Sequence, residues 1–153
     1  MYKRQEGEIK GLSKKEDYRI VLLDGTSRLF VTKKFIEEDG KTLEKTFFEQ
    51  VYANKHFELF KKERIKFQDA VPAKSSYEPE KPAKFIKLPT ALYVNFLDTD
   101  KGDLVQIPRK KKKLKDFFGD SYSSLEKYAK KNSLHFDASS DLVKILNHYI
   151  QTK

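Results

Sequence analysis

The residues with the densest chemistry are Arg109, Lys110, Lys111, Lys112, Lys113 and Lys115, a run of cations interrupted only by Leu114. Such a run attracts anionic partners: lipid headgroups, acidic polysaccharide or nucleic acid. It falls where a helix is expected to begin, and a helix N-terminus favours negative charge, so the placement works against the helix rather than for it. A solvated helix face is the plain alternative reading of the same residues. Tyr93, Phe96, Phe117 and Phe118 are near enough in sequence to add stacking, although Phe117 and Phe118 also fit a core.

No other group of residues assembles a reaction centre. His56, His135 and His148 are far apart, with no second ligand at metal-binding spacing. Ser75, Ser76, Ser123 and Ser124 lack the glycine-flanked turn that exposes a nucleophile, and the six glycines form no phosphate-cradling loop. The carboxylate pairs Glu37–Glu38 and Asp98/Asp100 fall at expected hairpin ends. Asp98-Thr99-Asp100-Lys101-Gly102 starts like a calcium loop, but Lys101 puts a cation among the ligands and no acidic residue follows at the terminal position. Turn chemistry accounts for it better. The expectation is a protein that is not an enzyme and uses no cofactor or metal; a hydrolase would need a pocket uniting residues distant in sequence.

The chain of 153 residues, with 38% hydrophobic and 13% aromatic content, has enough apolar surface to build one ordinary core despite being 36% charged. Its net charge of +9 is carried mostly by lysine. Arginine, the better bidentate reader of phosphates and base edges, stands only at Arg4, Arg19, Arg28, Arg64 and Arg109, which ranks nucleic acid behind other anionic partners. The absence of cysteine excludes disulfides and thiolate chemistry. No stretch approaches the ~18 apolar residues of a membrane helix.

The elements that position the cations read as α+β. Residues 6–69 form an antiparallel meander of β-hairpins, an incomplete sandwich or barrel: Tyr18–Leu23, Arg28–Ile36, Lys45–Ala53 and His56–Phe67 alternate polar and apolar residues, with turns at Asp24-Gly25, Asp39-Gly40 and Asn54-Lys55. Alternation puts Leu29, Val31 and Lys33 on one face. It sets Phe47, Val51 and Ala53 against Phe48 and Tyr52, and turns Phe57, Leu59, Ile65 and Phe67 inward. Residues 70–89 hold four of the five prolines and read as a Pro-rich crossover, an extended arm pinned to the sheet by Tyr77, Phe85 and Ile86. Residues 90–153 read as a β-hairpin, Leu92–Leu97 with Asp103–Ile107, and three short C-terminal helices. The first is stopped by Gly119, the second is capped by Asp120 or Ser121 and closed by Asn132, and the third is capped by Ser139 or Ser140. Leu114, Phe117 and Phe118 line the first, Leu125, Tyr128 and Ala129 the second, and Leu142, Ile145, Leu146, Tyr149 and Ile150 the last. All of this fits one compact domain.

The segments PAKSSYEPEKPAKFIK, YVNFLDTDKGDLVQIP, KKKKLKDFFGD, LEKYAKKNSLHF and DLVKILNHYI resemble a family of uncharacterised exported proteins of Bacteroidota, especially marine flavobacteria. The resemblance spans roughly residues 44–153. It implies a signal peptide, a β-rich N-terminal portion, a Pro-rich crossover, a hairpin and terminal helices ending in Tyr-Asn, whereas here Asn147-His148-Tyr149-Ile150 stands at that end. It names no activity or ligand, so no site residue transfers. Residues 1–5, MYKRQ, look like the translated end of a sequencing adapter and are treated as an artefact. Together the two resemblances imply an N-terminally truncated chain of a periplasmic or envelope-associated protein. The expectation is a non-enzymatic extracytoplasmic structural or interaction module whose partner is an anionic surface or another envelope protein. The alternative is a cytosolic nucleic-acid-binding protein using residues 109–115.

Overall fold

A computed structural model describes residues 2–5, 8–13, 16–22, 25, 27–36, 43–72, 80–98 and 104–152. The architecture is mixed α+β. Strands β1 (Tyr2–Gln5) and β2 (Glu8–Gly11) pair antiparallel as a two-stranded sheet. Then β3 (Arg19–Leu22), β4 (Arg28–Ile36), β5 (Leu43–Ala53), β6 (Phe57–Gln68), β7 (Lys84–Phe96) and β8 (Leu104–Gln106) form a six-stranded sheet in sequence order. Consecutive neighbours are antiparallel. Gly25, at φ 87°, supplies the left-handed conformation of the turn between β3 and β4. Between β5 and β6, the Asn54 side-chain oxygen accepts the backbone N–H groups of His56 and Phe57, both at 2.8 Å, and fixes that turn. The turns expected at Asp39-Gly40 and within residues 99–102, and the Glu37–Glu38 pair, lie outside the described residues.

The sheet closes on itself. Strand β8 pairs with β7 on one edge and, in parallel, with β4 on the other, through Phe35↔Leu104 and Ile36↔Val105. Strands β4 to β8 are therefore a small barrel, and β3 shares with β8 the edge of β4, occupying Arg28 to Val31. Phe35, Phe48, Phe60, Ala91, Tyr93 and Leu104 fill the interior, with Val31 packed against them. The rings of Phe35, Phe48 and Tyr93 meet edge to face at 4.9–5.6 Å, the offset geometry aromatic quadrupoles prefer. The interior also holds polar residues. The Glu58 carboxylate accepts hydrogen bonds from Gln50 Nε2 at 3.1 Å and Asn95 Nδ2 at 3.2 Å, and lies 3.7 Å from Lys33 Nζ. Elsewhere Lys62 Nζ sits 4.2 Å from the centre of the Phe35 ring.

The register is irregular between Gln50 and Tyr52, and this inverts part of the expected facing. The extra residue, Val51, changes the phase of the alternation. Phe48 consequently lies in the barrel, while Tyr52 packs on the outer core rather than sharing Phe48's face.

The end of the segment expected to be a crossover is strand. Residues 84–89 belong to the first half of β7, with 84–88 paired with 64–68, and an isolated bridge joins Val71 to Lys81. Proline is tolerated because Pro89 falls at a second register irregularity, opposite the step from Lys62 to Arg64, where no ladder donor is required. Pairing with β6 rather than the Phe85 ring holds the segment there, and Ile86 is half-buried. Phe85 is 75% exposed, and Ile65 and Phe67, expected to face inward, are 65% and 50% exposed. This distal part of β6 and β7 extends as a two-stranded ribbon past the surface the helices cover. Tyr77 lies outside the described residues.

On the outer face of the barrel, Phe57, Leu59, Leu92 and Val94 are buried under the C-terminal helices. Helix α1 (Lys111–Phe118) contributes Leu114 and Phe118, with Phe117 partly buried. Gly119, at φ 56°, ends it by donating its N–H to the Lys115 carbonyl. A 3-10 turn, Gly119–Ser121, leads without intervening coil into α2 (Tyr122–Lys131), which buries Tyr122, Leu125 and Ala129. The expected cap by Asp120 or Ser121 is not made: Ser121 is already helical and its hydroxyl bonds no end N–H. Asn132 closes α2, its side-chain N–H donating to the Tyr128 carbonyl at 2.8 Å. Helix α3 (Ser139–Gln151) buries Leu142, Ile145 and Leu146 completely. Its N-cap is Ala138 rather than a serine, because the helix starts one residue earlier than hydroxyl capping would require.

Candidate anion-binding surface

The cation run does not form one patch. Successive helical residues are turned by about 100°, so four lysines around a helix whose Leu114 and Phe118 are buried must fan across its solvent side. Lys111 and Lys115 lie toward α2, Lys112 points away from the core, and Lys113 lies on the other flank. Arg109 and Lys110 precede the helix. Lys110 is the extended N-cap residue, and the first turn holds no acidic side chain.

Carboxylates then neutralise part of the run. Lys111 Nζ donates to Glu126 at 2.6 Å, and Lys130 approaches the same oxygen at 3.4 Å. The hydrogen bond to Lys111 is the chief reason the Glu126 carboxyl is held below its ordinary range; its counterpart raises the Lys111 ammonium. Arg109 donates to Asp137 at 3.1 Å. No ion pair engages Lys110, Lys112 or Lys115 among the described residues.

Besides a concavity of about 590 Å³ that sets Lys111 and Lys115 beside Asp116, Asp120 and Glu126, two others at the run differ in character. One, of about 330 Å³, lies among α1, α2 and residues 134–137, and its cations Arg109, Lys111 and Lys130 are matched by Glu126 and Asp137. The other, of about 300 Å³, is lined by Arg64, Leu88, Pro89, Ala91, Gln106, Arg109 and Lys110 and contains no carboxylate. Ala91 belongs to the barrel core, and Gln106 pairs with core residue Tyr93, so this groove sits at an open end of the barrel. Arg64 comes to it from β6, far from residue 109 in sequence. Only the strand register shows that it belongs there.

The aromatic residues near the run in sequence are not available for stacking. Tyr93 and Phe118 are buried, while Phe96 and Phe117 pack against the helical core. The exposed aromatic pair is instead Phe67–Phe85 on the ribbon, with ring centroids 5.1 Å apart. By strand alternation Ile65, Phe67, Phe85 and Lys87 share one face of the ribbon, and Arg64, Lys66, Lys84, Ile86 and Leu88 share the other. Lys87 is paired with Glu63 at 3.1 Å.

His135 Nδ1 lies 3.5 Å from Asp141, and the His148 ring stacks on Tyr128 at 3.9 Å. Among the described residues no three His, Asp or Glu side chains converge as metal ligands. Asn147 accepts a hydrogen bond from Asn54 at 3.1 Å and so ties α3 to the β5–β6 turn. No helix of the described residues is long and apolar enough to cross a membrane. Ser75 and Ser76 lie outside the described residues, and Ser123 and Ser124 are exposed on α2. Comparison with protein-family models, curated proteins and solved structures returned no match.

Proposed function

We propose that the protein is a non-enzymatic interaction module that attaches to an anionic lipid surface of the cell envelope through the β6–β7 ribbon. The observation that carries this is the exposed apolar face of Ile65, Phe67 and Phe85 on an element rich in lysine. An interfacial element buries apolar side chains at the headgroup boundary while its lysines reach anionic headgroups, and the long lysine stems allow both at once. Ile65 distinguishes this surface from a base-stacking platform: it has no π-face, so single-stranded nucleic acid would cover Phe67 and Phe85 and leave Ile65 in water. The resemblance of residues 44–153 to exported proteins supports an envelope location.

Co-sedimentation with vesicles tests this reading. Vesicles of phosphatidylglycerol in phosphatidylcholine should bind the protein, pure phosphatidylcholine vesicles should not, and added salt should weaken the interaction. Phe67→Ser with Phe85→Ser should lower binding by about tenfold or more while the melting transition is kept. Failure to bind anionic vesicles at low salt overturns the proposal. Tighter binding to a single-stranded oligonucleotide, weakened by replacing Lys110 to Lys113 with Gln, would establish the nucleic-acid alternative in its place.

A further inference from the structure

We propose that the groove lined by Arg64, Arg109 and Lys110 is a binding site for a phosphate monoester, separate from the apolar face of the ribbon. The three cations converge from two elements, β6 and the segment entering α1, on a groove that contains no carboxylate. Arg64 and Lys110 have no ion-pair partner among the described residues. Arg109 is anchored by one nitrogen to Asp137, which fixes the guanidinium while leaving further N–H donors. Two guanidinium groups and an ammonium suit a compact oxyanion, because arginine grips phosphate oxygens with paired donors and lysine adds a point charge. Phosphate is favoured over a carboxylate since Arg64 and Lys110, the two groove cations without an ion-pair partner among the described residues, already exceed what one negative charge requires.

The rest of the lining defines the ester side. Leu88, Pro89 and Ala91 offer apolar surface beside the cations, and Gln106 adds an amide. A ligand bearing a phosphate on a short apolar group fills both halves of the groove. The neighbouring concavity lacks this property, because Glu126 and Asp137 already satisfy its cations.

Backbone amide NMR of the full chain, titrated with inorganic phosphate and with hexyl phosphate, tests the site. Shifts should centre on Ala91, Gln106 and Arg109 at ligand concentrations up to on the order of 10 mM, with hexyl phosphate binding the more tightly. Arg64→Gln and Lys110→Gln should each weaken binding about tenfold, as loss of a charge-assisted hydrogen bond does. Lys112→Gln and Lys115→Gln remove the same charge outside the groove and should change affinity by less than about twofold. Equal weakening by all four variants means diffuse attraction and overturns the site, as does the absence of shifts around the groove. Equal affinity for the two probes overturns the monoester assignment. Vesicle sedimentation of Arg64→Gln with phosphatidic acid, whose headgroup phosphate is a monoester, in place of phosphatidylglycerol identifies the source of the phosphate. Unchanged sedimentation assigns the groove to a soluble ester, and reduced sedimentation assigns it to a lipid headgroup. Loss of the vesicle interaction with Phe67→Ser/Phe85→Ser, with phosphate shifts retained, separates this site from the ribbon.

Discussion

Phe67 and Phe85 face each other across the β6–β7 ribbon with ring centroids 5.1 Å apart, yet both remain at least half exposed. Phe48 and Phe60, on β5 and β6, make a similar ring contact at 6.4 Å inside the barrel, with no exposed surface. The same side-chain chemistry therefore has two different energetic roles. Phe48→Ala should destabilise the fold by about 3–5 kcal/mol through lost transfer and cavity terms. Phe67→Ser should change stability by no more than about 0.5 kcal/mol, since it leaves no buried void. Urea denaturation of the two variants gives the comparison.

Glu58 is the acceptor on which Gln50 and Asn95 converge, with Lys33 close by. Glu58→Ala should cost about 1–3 kcal/mol, because it strands donors in a partly buried setting. Glu58→Gln should cost less, since its amide oxygen can still accept. A mutant stability series read by denaturant midpoint decides the order.

The Glu126–Lys111 contact should leave a signature in acid. Glu126 has its folded-state pKa lowered, first by the Lys111 hydrogen bond, from an ordinary value of 4.5. Its stabilising effect is therefore fully present above pH 4.5 and is lost as pH falls through the lower folded value. The stability difference between the native chain and Glu126→Gln should shrink as pH drops below 4.5. Chemical denaturation from neutral pH downward measures it, and a difference that grows in acid would contradict the assignment.

Gly25 has φ 87°, and a Cβ placed there meets nothing within 4 Å. Gly25→Ala should thus destabilise by about 1–2 kcal/mol from backbone conformation alone, without steric displacement. Gly25→Asn should recover part of that loss, because asparagine tolerates the left-handed region better. Thermal melts of both variants make the test.

The strand runs were readable where alternation was regular and turn residues explicit, as at Arg28–Ile36, whose bounds are those of β4. The helical stripe of Leu142, Ile145 and Leu146 was readable for the same reason. What escaped was set by tertiary pairing. Val51 shifts the phase of β5, and nothing in its own side chain marks a bulge. Lys84–Pro89 looked unfit for a sheet because of proline, but a strand that needs no donor at Pro89 accommodates it. Ile65 and Phe67 alternate as buried residues do, yet the helices that cover β6 stop short of them. The cation run was conspicuous at residues 109–115. Its division among Glu126, Asp137 and the groove with Arg64 depends on contacts between distant segments.

The parallel contact between β4 and β8 also governs how the chain matures. Leu104 cannot reach Phe35 until every strand between them has been synthesised and folded back, so the seam of the barrel is the last part of the sheet to be sealed. A ribosome-bound chain ending before β8 would carry Phe35, Phe48 and Phe60 without their final wall, a sticky intermediate suited to chaperone capture. Closing the two-residue seam walls off the barrel interior, while Phe57, Leu59, Leu92 and Val94 on the outer face still await the helices that follow in the chain.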